Sequence, residues 1–109
     1  MTTPRADERQ PRTTTSAATE RAMIETLKVS GTSRPSAVAG AVANAIRAHG
    51  IVEIQSIGAG ATNQAVKAIA IAQSYLREEA IRIVCVPEFT DVVLNGAERT
   101  AIRLLVERS

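Results

Sequence analysis

The stretch from Ile57 to Ala72 constrains the fold more than any other part of the chain. It joins a β-branched run, Ile51 to Ile57, to a long apolar segment through the turn Gly58-Ala59-Gly60. This order is typical of a strand, a tight turn and a helix. The turn has two interpretations. It could cradle a phosphate or other anion at the helix N-terminus, or its glycines could only permit a tight connection. A single G-x-G pattern does not separate them.

A similar strand and helix precede this unit. Residues 24–30 place Leu27 and Val29 on one face of a predicted strand. A helix is predicted over about residues 36–48, where apolar residues recur with a helical period. Thr32 or Ser33 is the expected N-cap, and glycine follows the last turn.

The second helix is predicted over about residues 61–77 and is apolar almost all round. Such a helix is buried on more than one side. Its second partner could be another subunit, which would make the protein an oligomer, or it could be the first helix.

The C-terminal part of the chain predicts a hairpin. A third strand covers residues 81–86 and is closed by Pro87, and a last strand covers residues 99–107. Asn95-Gly96 lies between alternating runs, which is a strong hairpin signal. The order β-α-β-α-β-β predicts an α/β two-layer sandwich, with a mixed four-stranded sheet and both helices on one face. Residues 1–22 are predicted to be a disordered tail, and residues 23–109 the single domain.

Charge and cysteine content restrict the function. The 13 Lys and Arg nearly balance the 11 Asp and Glu, so bulk electrostatics give little support for tight nucleic-acid binding. The single cysteine, Cys85, lies in an apolar run and is predicted to be a buried core residue rather than a nucleophile. A reducing cytoplasm is the simplest compartment, and no signal peptide or membrane span is expected.

The sequence predicts no enzyme. Glu88 and Asp91 could form a carboxylate pair, but no histidine or lysine stands near them, so a solvated loop is favoured. Gly58-Ala59-Gly60 lacks the third glycine of a dinucleotide fingerprint and the G-K-[ST] of a P-loop. No catalytic residue, cofactor or metal site is therefore predicted.

Binding has more support than catalysis. Both predicted helices follow parallel strands, so their N-termini should open at the same edge of the sheet. That edge would be polar and mildly basic, and suited to phosphates. Two further basic residues lie on the hairpin arm. The candidate nucleic-acid-binding residues are Arg34, Gly58, Gly60, Asn63, Gln64, Lys67, Arg99 and Arg103.

Long contiguous stretches resemble the stage V sporulation protein S family. They include IGAGATNQAVKA at residues 57–68 and ERTAIRLLVE at residues 98–107, and the resemblance spans about residues 24–107. The family looks like a bacterial relative of the archaeal chromatin protein Alba, a small dimeric nucleic-acid-binding α/β fold. The resemblance therefore implies an Alba-like fold and a part in spore development.

The basic residues of the Alba pattern are largely absent here. The Alba loop has a basic pair before a proline, where this chain has Ser33-Arg34-Pro35. Gly58-Ala59-Gly60 replaces an arginine-glycine-arginine turn, and Gln64 matches a lysine. Since each neutralised phosphate contributes about −0.9 to the salt slope, binding should be much weaker than in Alba.

The leading hypothesis is a non-enzymatic regulator of sporulation or development that binds DNA or RNA weakly as a homodimer or tetramer. One alternative is a protein-interaction or assembly module without nucleic-acid binding. Another is a sensor of small anionic metabolites at the two helix N-termini.

Overall fold

The computed structural model describes residues 24–109, so the predicted tail at residues 1–22 lies outside the described part of the chain. Strands and helices alternate and then give way to a hairpin. In chain order the elements are β1 (Thr26–Val29), α1 (Pro35–His49), β2 (Ile51–Ser56), α2 (Ala59–Arg77), β3 (Ile83–Leu94) and β4 (Ala97–Arg108).

The four strands form one mixed sheet in the order β1-β2-β4-β3. β1 pairs with β2 in parallel, while β4 pairs antiparallel with both β2 and β3. Alternate β2 residues, Val52, Ile54 and Ser56, are buried beneath the helices. Their neighbours Glu53 and Gln55 are therefore on the opposite, open face. The predicted α/β sandwich with a mixed sheet is confirmed.

The ends of α1 follow from local chemistry. Pro35 occupies the first turn, where the missing N–H costs nothing. Gly50 ends the helix in the left-handed conformation, and its N–H donates to the Ile46 carbonyl. The N-cap is Arg34, without a side-chain cap, so the prediction of Thr32 or Ser33 was wrong. The Ser33 hydroxyl instead accepts a hydrogen bond from the Ser30 N–H.

Small side chains let the two helices approach each other. The buried stripe of α2 consists of four alanines and a leucine: Ala61, Ala65, Ala68, Ala72 and Leu76. α1 packs along α2, and both contribute to one core with the sheet. The first helix therefore covers the second side of α2, as one interpretation of its composition required. Val66 and Tyr75 on α2 remain exposed.

β3 is longer than expected and lies at the edge of the sheet. The strand continues through Pro87 to Leu94, so the prediction that Pro87 closes it was wrong. An edge strand tolerates proline because one side of its backbone has no partner strand. The prediction of a buried Cys85 was also wrong, since its side chain is exposed. The apolar sequence alone did not reveal that most of this strand after Ile83 is exposed.

Candidate functional site

The two loops at the carboxyl ends of β1 and β2 meet, as the parallel pairing predicted. Gly31 Cα is 3.9 Å from the position that a Cβ on Gly60 would occupy. Gln64 Nε2 donates a hydrogen bond to the Ser33 carbonyl oxygen at 2.9 Å. The loops are therefore fastened to each other, and the N-termini of α1 and α2 open side by side.

The two glycines of the Gly58-Ala59-Gly60 turn have different roles. Gly58 has φ 93° and ψ 158°, a region that residues with a Cβ rarely adopt. Apart from its chain neighbours, no atom of residues 24–109 lies within 4 Å of a Cβ built on Gly58, so its constraint is conformational and not steric. Gly60 is absent from the positive-φ glycines, and its added Cβ would make only an ordinary contact.

Hydroxyl groups fix the start of α2. The Thr62 N–H and Oγ1 both donate to the Gly58 carbonyl oxygen at 3.0 Å. Thr62 Oγ1 also shares a hydrogen bond of 2.9 Å with Ser56 Oγ, the buried hydroxyl at the end of β2. Thr62 is the first residue of α2 whose N–H finds a carbonyl partner at the start of the helix. The N–H groups of Ala59, Gly60 and Ala61 therefore have no partner inside the helix.

The first turn of α1 offers fewer free donors. The N–H groups of Ala37 and Val38 both donate to the Arg34 carbonyl, and Pro35 has no N–H. Neither helix carries an acidic residue in its first turn. The positive ends of both helix dipoles are therefore uncompensated by local carboxylates, and most of the free donors belong to α2.

Two cations flank these helix ends. Arg34 and Lys67 are exposed, and neither belongs to the ion pairs of residues 24–109, which join Arg47 to Glu79 and Arg103 to Glu88. We call the assembled surface the loop edge. It consists of six of the predicted site residues: Arg34, Gly58, Gly60, Asn63, Gln64 and Lys67.

The other two predicted residues, Arg99 and Arg103, are not at the loop edge. Arg103 faces Gln55 across β2 and β4, and pairs with Glu88 of β3. The hydrogen bond that the Arg103 guanidinium donates to the Glu88 carboxylate raises the pKa of Arg103 above its usual range. Arg99 lines a cleft on the open face together with Lys28. The eight residues therefore divide between two neighbouring surfaces.

Phe89 was missing from the predicted site. The residue is 79% exposed and lines a cavity of about 570 Å³ together with Gly58, Asn63 and Val66. Phe89 and Tyr75 are the two aromatic residues of the chain. The position of Phe89 beside the turn depends on the course of β3 past Pro87, which local sequence did not indicate.

The Cys85 thiol is not activated as a nucleophile. Desolvation raises the pKa of the Cys85 thiol, which lowers the thiolate fraction and opposes nucleophilic reactivity. Within residues 24–109 no three His, Cys, Asp or Glu side chains cluster as metal ligands would. What the loop edge does offer is a polar surface of backbone donors and two cations, Arg34 and Lys67, that form no ion pair within residues 24–109.

The fold and the loop edge define a small two-layer α/β protein whose two helices begin at the same edge of the sheet, without acidic residues in their first turns. The chain belongs to the stage V sporulation protein S (SpoVS) family, whose model matches residues 25–109. This membership gives it a sporulation-related role. Within the described residues, no helix is long and apolar enough to span a membrane.

Proposed function

We propose that this protein is a non-enzymatic regulator of sporulation that binds nucleic acid weakly at the loop edge. The observation that carries the proposal is the contact between two loops that brings both helix N-termini together. Neither helix has a carboxylate in its first turn, so no local negative charge repels a phosphate there.

The N–H groups at the start of α2 would hold a backbone phosphate. Ala59 and Gly60, which are both exposed, present donors at the positive end of the helix dipole, a favourable arrangement for an anion. Lys67 lies one to two turns farther along α2, and Arg34 stands at the N-cap of α1. These two side chains supply the charge that attracts a phosphate backbone from a distance.

Asn63 and Gln64 would contribute differently. Asn63 is exposed, so its amide is free to contact sugar or phosphate. The Nε2 group of Gln64 is committed to the Ser33 carbonyl, so Gln64 serves to hold the two loops together. Binding is weak because only a few cations are present, and each phosphate contact contributes modestly to affinity.

Replacing both flanking cations tests the proposal. The variant Arg34→Ala/Lys67→Ala should bind short labelled DNA or RNA at least about tenfold more weakly at low salt, because two charge-assisted contacts are lost. Fluorescence anisotropy measures the change. Both side chains are exposed, so the fold should be retained.

The matched control is Arg77→Ala/Arg108→Ala, which removes the same charge at the other end of the molecule. Arg77 lies in the last turn of α2, and Arg108 is the last residue of β4. This variant should retain wild-type affinity. Equal loss in both double variants would mean that only net charge matters, and unchanged binding in Arg34→Ala/Lys67→Ala would refute the proposed site.

The protein is also proposed to act as a homodimer or tetramer. Exposed apolar side chains support this: Phe89 is 79% exposed, Val93 74% and Val66 52%. An apolar surface of this kind marks an association site. β3 is also a 12-residue edge strand, and such an edge is available to a partner.

Charge introduced into this surface should separate the subunits. We expect Val66→Asp/Phe89→Asp to elute as a monomer at concentrations where the wild type is oligomeric, because two carboxylates would be buried without partners. Light scattering after size exclusion measures the mass. Tyr75→Asp, also at an exposed apolar position, is the control and should retain the wild-type mass. A monomeric wild type would refute the oligomer.

The same apolar surface favours a second candidate function, a protein-interaction or assembly module. In that case the surface would contact a different protein, and the loop edge would bind no nucleic acid. The two functions are separated by the anisotropy titration, because an assembly module gives no signal with DNA or RNA at low salt. The wild type would then remain monomeric with its apolar surface still available to a partner.

A further inference from the structure

A cleft on the open face of the sheet lies next to the loop edge. It has a volume of about 660 Å³, and its wall includes Gly31, the residue whose Cα approaches Gly60. The cleft lies between β1 and β2 on one side and the hairpin arm of β3 and β4 on the other. The loop edge and the cleft are therefore contiguous.

Among the described residues, the charged groups of the cleft are both cations. Lys28 on β1 and Arg99 on β4 line it, and none of the lining residues within 24–109 is acidic. Neither cation takes part in the ion pairs formed by the described residues. Two unneutralised cations in one concave surface favour a ligand with an anionic group, and arginine suits phosphate in particular.

The rest of the described lining is mostly apolar, and its polar side chains are the Gln55 amide and the Ser30 hydroxyl. Ile57, Val92 and Leu94 line the cleft, and Leu94 is 43% exposed. Gln55 lies beside Lys28 in the sheet register and presents both a donor and an acceptor. An apolar surface suits the face of a flat ring, while an amide can pair with its polar edge.

We propose that this cleft binds one nucleotide unit with an unpaired base. Its phosphate pairs with Lys28 and Arg99, and its base lies on Ile57, Val92 and Leu94 with its edge at Gln55. The unit comes from a free nucleotide or from a single strand that continues from the loop edge. Binding of a nucleic-acid single strand in the cleft rests on the proposed function, whereas binding of a free nucleotide does not.

Chemical-shift mapping of the ¹⁵N-labelled full chain with adenosine 5′-monophosphate tests this proposal. The amides of Gly31, Gln55 and Arg99 should shift, and Lys28→Gln/Arg99→Gln should weaken binding at least about tenfold. Arg77→Gln/Arg108→Gln, the matched control, should bind as the wild type does. Inorganic phosphate and adenosine, tested separately, should each bind more weakly because each lacks half of the contacts.

The proposal is overturned if the nucleotide causes no chemical-shift changes at millimolar concentration. It is also overturned if inorganic phosphate alone binds as tightly as the nucleotide. Shifts confined to residues 58–67 would also overturn it, since they would place the nucleotide at the loop edge. A preference for an unpaired oligonucleotide over the same sequence in a duplex identifies a single strand as the source. Equal competition by mononucleotide and oligonucleotide identifies the free nucleotide.

The two sites can fail separately. If the loop edge does not bind nucleic acid, Arg34→Ala/Lys67→Ala will leave oligonucleotide affinity unchanged, while Lys28→Gln/Arg99→Gln still abolishes the nucleotide shifts. If the cleft is not a site, only the first of these double variants will weaken binding of the oligonucleotide.

Discussion

Gly58→Ala is expected to lower the free energy of unfolding by about 1–3 kcal/mol, because an alanine must either adopt a strained conformation or reshape the turn. Gly58 has φ 93° and ψ 158°, and no neighbouring atom would obstruct its Cβ. The expected loss therefore comes from the backbone alone. Denaturant unfolding followed by circular dichroism measures it.

Gly60→Ala is the matched control in the same turn. Gly60 is not among the glycines with positive φ, and its added Cβ would lie 3.9 Å from Gly31 Cα. We expect the free energy of unfolding to stay unchanged or to rise by up to about 1 kcal/mol, since alanine restricts the unfolded chain and favours helix. Equal losses in the two variants would contradict the assignment of the turn constraint to Gly58.

This pair of variants bears on the meaning of the glycine turn. Gly58 is required by the chain's path from β2 into α2, so its presence alone is not evidence of a phosphate site. The support for binding is separate. It lies in the free N–H groups that follow Gly58 and in the absence of a first-turn carboxylate.

Leu76→Ala is expected to lower the free energy of unfolding by about 2–5 kcal/mol, the range for removing a buried leucine side chain. Leu76 is fully buried in the last turn of α2. Its neighbours along the buried stripe are alanines, so α2 itself supplies no large buried side chain to fill the space. In a domain of this size, the melting temperature should fall by at least about 10 °C.

Tyr75→Ala provides the comparison on the adjacent residue. Tyr75 is 43% exposed, so its truncation leaves less of a cavity and should cost clearly less than Leu76→Ala. Thermal unfolding of both variants measures the difference. Similar losses would contradict the assignment of Leu76, and not Tyr75, to the core between the helices and the sheet.

Much of the fold followed from local patterns in the sequence. The helical period of α1, the Gly50 stop and the Asn95-Gly96 hairpin turn each reflect the conformational preferences of residues close together in the chain. The parallel order of β1 and β2 then implied that both helices begin at one edge. The contact of Gly31 with Gly60 agrees with that expectation.

The errors concern the edge of the sheet. Cys85 and Pro87 were interpreted from the apolar run around them. Their environment depends instead on the strand order, which places β3 at the edge of the sheet. The same long-range information decides that Phe89 lies beside Gly58. Likewise, the pairing of Arg103 with Glu88 depends on the register between β3 and β4.

The salt dependence of nucleic-acid binding tests the central claim most directly. For a DNA duplex, each phosphate neutralised by a cation contributes about −0.9 to the slope of log K against log salt concentration. Arg34→Ala/Lys67→Ala should therefore make the slope shallower by about two units for each protein chain bound to the duplex. Arg77→Ala/Arg108→Ala should leave the slope unchanged. No binding at the lowest salt, or the same slope in wild type and Arg34→Ala/Lys67→Ala, would contradict nucleic-acid binding at the loop edge.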